Sequence, residues 1–368
     1  MTQSRPVRII RKRSNLAVFI GRFSPPHLGH LEVIRQALRI AETVLIILGS
    51  ANAARRFDFV PFTAQERETL LRLMLTAEEN QRVVFAPVED QGNMTKWTGL
   101  IRSTAHMLEP QDKNITLIGH AKDHTSFYLK AFRGWDSSEV DNYLGMSATP
   151  FRQDMFNGQF MDRVSTDSWR ECIHPDVRDW LVDFSKTGEF DYMRRESAFV
   201  DEYQKKWGKG PHVTADLILI QGDYVLTVQR DGMPFENLMA SPGGFVNPNE
   251  RVVDAAFREG AEETHVKVPL NVLKRQIVGT KYYDEPHRDP RGRVYTFATT
   301  VYLNPQPPSD MLDPEAIRKF VGLPRIRRGD DARETNWTHI PTIKRAETAF
   351  DFYNMLQDSL EMLPKEDI

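Results

Sequence analysis

The chain has 368 residues, 40% of them hydrophobic and 27% charged, which is ordinary globular composition with room for two or three domains. Its 48 basic and 51 acidic residues nearly balance, which argues against a dedicated nucleic-acid-binding protein, and its one cysteine, Cys172, excludes an internal disulfide and a cysteine-based zinc cluster. No apolar run approaches the roughly 18 residues of a membrane span, and the start does not resemble a signal peptide, so we expect a cytoplasmic protein without a membrane partner.

The first half of the chain alternates strand and helix patterns. The apolar run Leu16–Ile20 is closed by Gly21, residues 27–41 carry apolar side chains at helical spacing, and Thr43–Leu48 is a second buried strand. Strand, helix and strand in this order form a βαβ unit, which indicates a parallel sheet. We predict a doubly wound α/β domain over residues 14–190, with further strands at Arg82–Pro87 and Ile115–Ile118 and helices at Thr63–Met74 and Thr98–Met107.

The second half has more strands than helices. The charged segment 191–210 ends in closely spaced glycine and proline residues, and we interpret it as a linker. Beyond it, two apolar or alternating runs flank Gly222 and predict a hairpin. A helix and a strand follow, so we predict an α+β domain over residues 211–368, with strands at His212–Ile220, Tyr224–Gln229 and Val294–Leu303 and a helix at about Arg251–Glu263.

The first predicted strand ends in the segment GRFSPPHLGH, residues 21–30, directly before the first helix. The N–H groups at a helix N-terminus favour phosphate. His27 and His30 lie three residues apart on one helical face, where both rings can donate hydrogen bonds to phosphoryl oxygens, and Arg22 adds a permanent positive charge. The segment therefore predicts a turn that binds a nucleotide.

This segment resembles the HxGH signature of the nucleotidyltransferase superfamily. Residues 147–152, SATPFR, resemble its second signature, a turn rich in serine and threonine that ends in arginine at a helix start. Residues 49–71 and the segment IGHAKD, residues 118–123, resemble nicotinamide-nucleotide adenylyltransferases of the archaeal-like type. The resemblance covers roughly residues 15–185. It implies adenylyl transfer from ATP to nicotinamide mononucleotide, giving NAD and pyrophosphate.

The adenylyltransferase resemblance also implies the roles of individual residues. Trp97 is expected to stack on the nicotinamide ring, although a core tryptophan is the alternative. The implied catalytic residues are Arg22, His27, His30 and Arg152, with Mg²⁺ on the triphosphate. The implied substrate contacts are Gly21, Phe23, Asn93, Trp97, Gly119, Asp123, Ser147 and Thr149.

A second motif lies on the predicted helix of the second half. Glu259, Glu262 and Glu263 fall on one helical face, where three like charges repel one another. Carboxylate oxygens are suitable ligands for Mg²⁺ or Mn²⁺, so we expect these glutamates to hold divalent metal and serve catalysis. For the three glutamates alone, the alternative is a solvated acidic face.

The spacing from Gly244 through Arg258 to Glu263 resembles the Nudix box, with two departures. Gly260 stands where a bulky aliphatic residue is usual, and His265 stands where a glycine usually ends the helix. The resemblance spans roughly residues 205–368 and implies Mg²⁺-dependent hydrolysis of ADP-ribose to AMP and ribose 5-phosphate. The loop 283–293 and the segment 329–332 resemble ADP-ribose-type members, and Arg288 and Arg293 are the expected substrate contacts.

Three accounts of the whole chain stay open on the sequence alone. The leading account is a bifunctional enzyme whose partners are ATP, nicotinamide mononucleotide, NAD and ADP-ribose. The second keeps the adenylyltransferase but makes the Nudix half a non-catalytic sensor. The third is another HxGH transferase, acting on pantetheine phosphate or with a cytidylyl donor. Whether the chain forms a homo-oligomer is also open.

Overall fold

The computed structural model describes residues 14–91, 93–119, 131–140, 145–303, 322–329 and 332–364. The chain divides into two units, Met1–Arg195 and Glu196–Ile368. Within the described ranges, no helix is long and apolar enough to cross a membrane.

In the first unit, the described strands form a five-stranded parallel sheet. The order across the sheet is β3-β2-β1-β4-β5, and the central strand β1 pairs with β2 and β4. The predicted doubly wound domain is thereby confirmed. The strands are β1 (Ser14–Gly21), β2 (Ala41–Leu48), β3 (Val83–Pro87), β4 (Ile115–Gly119) and β5 (Asp136–Glu139).

Helices cover both faces of this sheet because side chains alternate along β1. Ala17 and Phe19 pack with one helical cluster, whereas Val18 packs with the other. The first cluster includes Ile34, and the second includes Ile101. The helices of this unit are α1 (Leu28–Ile40), α2 (Ala64–Leu73), α3 (Ala77–Gln81), α4 (Met94–His106), α5 (Ala148–Phe156), α6 (Phe160–Arg163), α7 (Asp167–Cys172) and α8 (Pro175–Phe184). Helix α9 (Gly188–Trp207) begins in the first unit and ends in the second.

The second unit is built on a mixed sheet, seven-stranded over the described residues. Its main path runs β10-β11-β6-β7-β12, with β8 on β7 and β9 on β6, and β11 pairs in parallel with β6. The strands are β6 (His212–Gln221), β7 (Tyr224–Arg230), β8 (Met239–Ala240), β9 (Gly243–Phe245), β10 (Ile277–Tyr283), β11 (Val294–Tyr302) and β12 (Ala332–His339). The helices are α10 (Val252–Thr264), α11 (Leu270–Arg275) and α12 (Phe352–Met362).

Two helices cover the two faces of strand β6. Leu217 and Leu219 pack with Phe257 of α10, whereas Ile218 packs with Leu356 of α12. The Nudix-box helix α10 therefore rests on the centre of the sheet, and strand β9 brings a glycine turn beside it.

The structure differs from the expected linker in one respect. Residues 191–210 are helical as far as Trp207, because α9 continues through them. The charged residues of this segment are good helix formers, and Phe190, Met193 and Val200 recur at a spacing that places all three on a buried face. Only residues 208–211 keep the predicted loop character.

Candidate active sites in the two units

The glycines at the ends of three parallel strands lie along one edge of the first sheet. Gly21 ends β1, Gly49 follows β2 and Gly119 ends β4. The N–H of Gly49 donates to the Gly21 carbonyl at 2.9 Å, which joins the first two turns. A Cβ on Gly21 would lie 2.8 Å from the Phe23 ring, so only glycine lets that ring fold over the strand end.

The two histidines of the HxGH segment form a stacked pair at this edge. His27 is the N-cap of α1, and its N–H donates to Nδ1 of His30 at 3.1 Å. The two rings lie 3.7 Å apart, and the Phe23 ring meets His30 edge-on at 5.0 Å. The predicted spacing on one helical turn therefore gives a fixed pair of imidazoles at the helix start.

The second signature meets the first through Arg152. Its guanidinium donates to the carbonyl of Ser24 at 2.7 Å, to that of Asp58 at 3.1 Å and to Oγ1 of Thr149 at 3.1 Å. Ser147 caps α5 by accepting from the Thr149 N–H. Burial lowers the pKa of Arg152 to about 10, so the side chain stays charged at neutral pH. The structure thus brings the two predicted motifs to one place.

Further positive charge lies beside this turn. The exposed Arg22 places its guanidinium 4.0 Å from the centre of the Phe59 ring. Arg56 lies 5.5 Å from the same ring and pairs with Asp58 at 2.7 Å. Cation–π contacts of this kind hold a long cationic side chain in one orientation, and a charge held in place suits a phosphate site.

The expected contacts to the nicotinamide nucleotide have local structural roles. Asn93 caps α4, because its side-chain oxygen accepts from the N–H groups of Thr95 and Lys96. Trp97 is half-buried and lies 6.3 Å from the Phe132 ring, against the second apolar cluster of the sheet. Its stacking on nicotinamide stays a prediction, and Asp123 lies outside the described residues.

In the second unit, Arg258 is the centre of an ion-pair network on α10. Its guanidinium donates to both oxygens of Glu250, at 2.9 and 3.0 Å, and to the Phe245 carbonyl at 3.0 Å. It also bonds Glu259 at 2.8 Å and Glu262 at 3.0 Å. Hydrogen bonds from Arg258 hold the pKa of Glu250 at about 2. Arg258 therefore orients the glutamates around it.

Glu259 and Glu263 face the glycine turn of strand β9. The Glu263 carboxylate accepts from the Gly243 N–H at 3.0 Å, and a Cβ on Gly244 would lie only 2.5 Å from Glu259 Oε1. Burial raises the pKa of both carboxyl groups, that of Glu263 to about 8, and repulsion from neighbouring carboxylates contributes: from Glu259 for Glu263, and from Glu262 and Glu250 for Glu259. Half-buried carboxylates with acidic neighbours fit a divalent cation as their counter-charge.

Glu262 takes a different direction from its two neighbours. Its side chain is 59% exposed and is ion-paired with Arg258. In the part of the chain that the structure describes, no three His, Cys, Asp or Glu side chains are grouped closely enough to hold an ion in this conformation. Convergence of all three glutamates on metal therefore stays a prediction.

A cavity of about 170 Å³ adjoins the glycine turn and the loop 283–293. Arg288 lines it, is 7% exposed and bonds Asp351 at 2.9 Å. Arg293 instead lies beside Tyr295, 4.9 Å from its ring, and is not among the lining residues. Four further side chains line the cavity that were not predicted from the sequence: Asp216, Arg230, Arg291 and Phe350. Arg291 belongs to the same loop as Arg288, whereas the other three come from distant segments.

Comparison with known proteins identifies both units. The cytidylyltransferase-like family matches residues 18–126, and the NUDIX domain family matches residues 210–341. The chain is 36% identical over 146 residues to the nicotinamide/nicotinic acid mononucleotide adenylyltransferase of Acinetobacter baylyi, covering 39% of this chain and 77% of that protein. The chain belongs to the nicotinamide-nucleotide adenylyltransferase family.

The Nudix resemblance is confirmed as well. The chain is 28% identical over 148 residues to the ADP-ribose pyrophosphatase of Methanocaldococcus jannaschii, covering 40% of this chain and 72% of that protein. A bifunctional NMN adenylyltransferase/ADP ribose pyrophosphatase from Francisella tularensis matches the structure with a TM-score of 0.81 and 29% identity, covering 95% of this chain and 99% of that one. The second Francisella structure, of the complex with AMP and Mn, matches similarly, with a TM-score of 0.80.

Proposed function

We propose that this member of the adenylyltransferase family catalyses two reactions in NAD metabolism. Residues 14–190 transfer the adenylyl group of ATP to nicotinamide mononucleotide, giving NAD and pyrophosphate. Residues 211–368 hydrolyse ADP-ribose to AMP and ribose 5-phosphate. The observation that carries the proposal is that one chain contains both a HxGH turn joined to Arg152 and a helix with the three Nudix glutamates. The match to the bifunctional Francisella protein over 95% of this chain supports it.

The proposed transfer needs no protein nucleophile. The phosphate of nicotinamide mononucleotide attacks the α-phosphorus of ATP in line, and pyrophosphate leaves. Catalysis is then positioning together with stabilisation of negative charge on the phosphoryl oxygens. We assign that charge stabilisation to His27, His30, Arg22 and Arg152, with Mg²⁺ carried by the triphosphate.

The substrate contacts of the transferase follow from the same edge of the sheet. We assign the space beside Gly21, Phe23 and Gly119 to the nucleotides, because the strands end there and backbone can approach a ligand closely. We assign the nicotinamide ring to the half-buried Trp97. The remaining assigned contacts are Asn93, Asp123, Ser147 and Thr149.

The proposed hydrolysis depends on the glutamates of α10 and on the cavity that Arg288 lines. Glu259, Glu262 and Glu263 would hold Mg²⁺ or Mn²⁺, which would supply an activated water and neutralise charge on the diphosphate. Manganese in the Francisella complex supports a divalent cation, and Mg²⁺ is our proposal. Arg288 presents positive charge in the cavity and is held there by Asp351, which suits the diphosphate of ADP-ribose. We also assign Arg293 to substrate, from the loop resemblance.

Assays on the purified full chain test both activities. With ATP, Mg²⁺ and nicotinamide mononucleotide we expect NAD and pyrophosphate, and with Mg²⁺ and ADP-ribose we expect AMP and ribose 5-phosphate. Tight binding of ADP-ribose without hydrolysis would favour the sensor account of the second unit. Activity on pantetheine phosphate instead of the mononucleotide would overturn the transferase assignment.

A further inference from the structure

A buried arginine of α2 holds together the turns at the edge of the first sheet. Arg67 is fully buried, and its guanidinium donates to four main-chain carbonyls. Nη1 bonds the carbonyls of Arg22 at 2.9 Å and Gly49 at 2.6 Å, Nη2 bonds that of Ser50 at 3.3 Å, and Nε bonds that of Thr63 at 3.3 Å. One side chain therefore joins the turn after β1 to the turn after β2.

A charged side chain is not needed at position 67 merely to fill the space there. Burying a guanidinium costs free energy unless hydrogen bonds compensate, and an apolar side chain would fill the same volume at lower cost. Burial lowers the pKa of Arg67 to about 10, so the group still enters the fold charged at neutral pH. What the guanidinium adds is a rigid fork of donors that fixes several carbonyls at once.

The two turns that Arg67 fixes have an unusual backbone. Phe23, which follows Arg22, has a φ of 51°, and Ser50, which follows Gly49, has a φ of 52°. These left-handed values cost energy for residues other than glycine, so the surroundings must hold them. In a planar trans peptide the carbonyl and the next N–H point in opposite directions. Because Arg67 donates hydrogen bonds to the carbonyls of Arg22 and Gly49, the N–H groups of Phe23 and Ser50 point away from its guanidinium.

We propose that Arg67 is a positioning residue for adenylyl transfer. It acts through the turns it holds: one carries Gly21 and Arg22 and leads to His27, and the other carries Gly49 and Ser50. The hydrogen bonds that Arg67 donates fix the positions of the charged groups in the HxGH segment. They also keep the carbonyl oxygens of Arg22, Gly49 and Ser50 directed at the Arg67 guanidinium. This inference rests on the proposed transferase function and adds a residue to it.

Arg82 is a matched control in the same unit. Its guanidinium also donates to main-chain carbonyls, those of Leu38 and Ala41 at 2.7 Å and that of Glu42 at 3.0 Å. These lie where β2 begins, at the opposite edge of the sheet. Arg82→Lys therefore removes a similar set of bonds away from the HxGH turn.

The test compares Arg67→Lys with Arg82→Lys in the full chain. Lysine keeps the charge but loses the fork, and a misplacement of about 1 Å can cost about 100-fold in rate. We expect kcat for NAD synthesis to fall about 10- to 100-fold in Arg67→Lys, more than KM for ATP rises, and to change less than 2-fold in Arg82→Lys. ADP-ribose hydrolysis by the same preparations should be unchanged. Circular dichroism well below the melting temperature confirms folding.

Equal effects of the two substitutions on kcat would overturn the proposal, because Arg67 would then be only structural. If Arg67→Lys does not fold, Arg67→Gln, which is neutral and keeps two donors, takes its place in the comparison. Normal kcat in a folded Arg67→Gln variant would also overturn it. Failure of the unmodified chain to make NAD is a different result, which would refute the transferase function itself.

Discussion

His30 has two roles in the first unit. It accepts the hydrogen bond that closes the start of α1, and its ring stacks on His27 at the edge assigned to phosphate. Substitution of His30 should therefore change the stability of the first unit and the rate of NAD synthesis to different extents. Loss of a helix cap costs about 1 kcal/mol, which a folded unit tolerates. Loss of a donor to a developing phosphoryl charge costs far more in rate.

We predict that His30→Ala lowers kcat/KM for NAD synthesis by about 10²- to 10³-fold, the range seen when one charge-stabilising donor is removed. Steady-state assays of both reactions check it, with ADP-ribose hydrolysis as the control within the same chain. Near-normal NAD synthesis by the variant would show that the histidine pair is a helix cap and nothing more.

Glu263 gives the second unit a distinctive pH dependence. Burial raises the pKa of Glu263 to about 8, above its unfolded value near 4.5. Between these two pKa values the folded state holds a proton that the unfolded state has lost. The free energy of unfolding therefore falls as pH rises, by roughly 1.4 kcal/mol per pH unit. We predict that Glu263→Gln, in EDTA, melts near the parent temperature at pH 5 and several degrees above it at pH 8.

Thermal melts of parent and Glu263→Gln at pH 5, 6, 7 and 8 measure this difference directly. Adding Mg²⁺ at pH 8 should stabilise the parent more than the variant, since a cation held by the folded state shifts its stability. A constant difference in melting temperature across the pH range would contradict the raised pKa of Glu263.

The sequence predicted the local placement of candidate residues that lie close together along the chain, and their chemical roles stay predictions. The positions of His27 and His30 at the start of α1 and of the three glutamates on α10 follow from spacing within one turn or helix. Arg67 and Asp216 could not be found this way, because their partners come from separate segments and their importance depends on burial. The direction of Glu262, toward Arg258, also depends on packing and not on spacing.

At the scale of elements, the two departures from the Nudix box have physical explanations. Gly260 lies where α10 packs on β6, and a Cβ there would be 2.4 Å from Leu217 Cδ2. His265 ends the helix with φ of 44°, so it adopts the left-handed conformation that glycine usually provides. Close packing against Leu217 therefore explains why glycine stands at position 260 instead of an aliphatic residue. At position 265, histidine adopts the left-handed backbone that glycine usually provides.

We predict opposite effects of alanine at two helical glycines. Gly260→Ala should destabilise the second unit by about 1–2 kcal/mol, because Leu217 is buried and must leave its packed position. Gly99 lies on the exposed face of α4, where an added Cβ would meet no heavy atom within 4 Å. Gly99→Ala should therefore stabilise the first unit by up to about 1 kcal/mol. Urea unfolding of both variants measures the two free energies. Equal stabilisation by both would refute the packing explanation.

Element type was predictable where the hydrophobic period was strong, and less so where charge dominated. The βαβ start and the helix α10 follow from apolar spacing. The helical form of residues 191–207 was not predicted, because their charged side chains conceal a narrow buried face that includes Met193. Strands β6 and β7 pair only near their shared turn, where Ile220 pairs with Val225 and Gln221 with Tyr224. Strand β9 pairs with Thr214–Asp216 farther along β6, and β11 pairs along the other edge. Tertiary contacts decide this pairing.

The two units of the molecule are each assigned one chemistry. We assign fixed positive charge at a sheet edge to adenylyl transfer, and half-buried carboxylates beside an arginine-lined cavity to hydrolysis. Both proposed reactions act on a bond between phosphoryl groups of an adenine nucleotide, with opposite results, because one joins two nucleotides and the other cleaves a diphosphate. The central claim is therefore that a single polypeptide performs both.

Product analysis of one preparation tests this claim most directly. The purified chain is supplied with ATP, nicotinamide mononucleotide, ADP-ribose and Mg²⁺, and products are separated over time. We predict NAD with pyrophosphate and AMP with ribose 5-phosphate from the parent, and far slower formation of both pairs by the double variant His30→Ala, Glu263→Gln. Absence of either pair from the parent, or equal product formation by the double variant, would contradict the account.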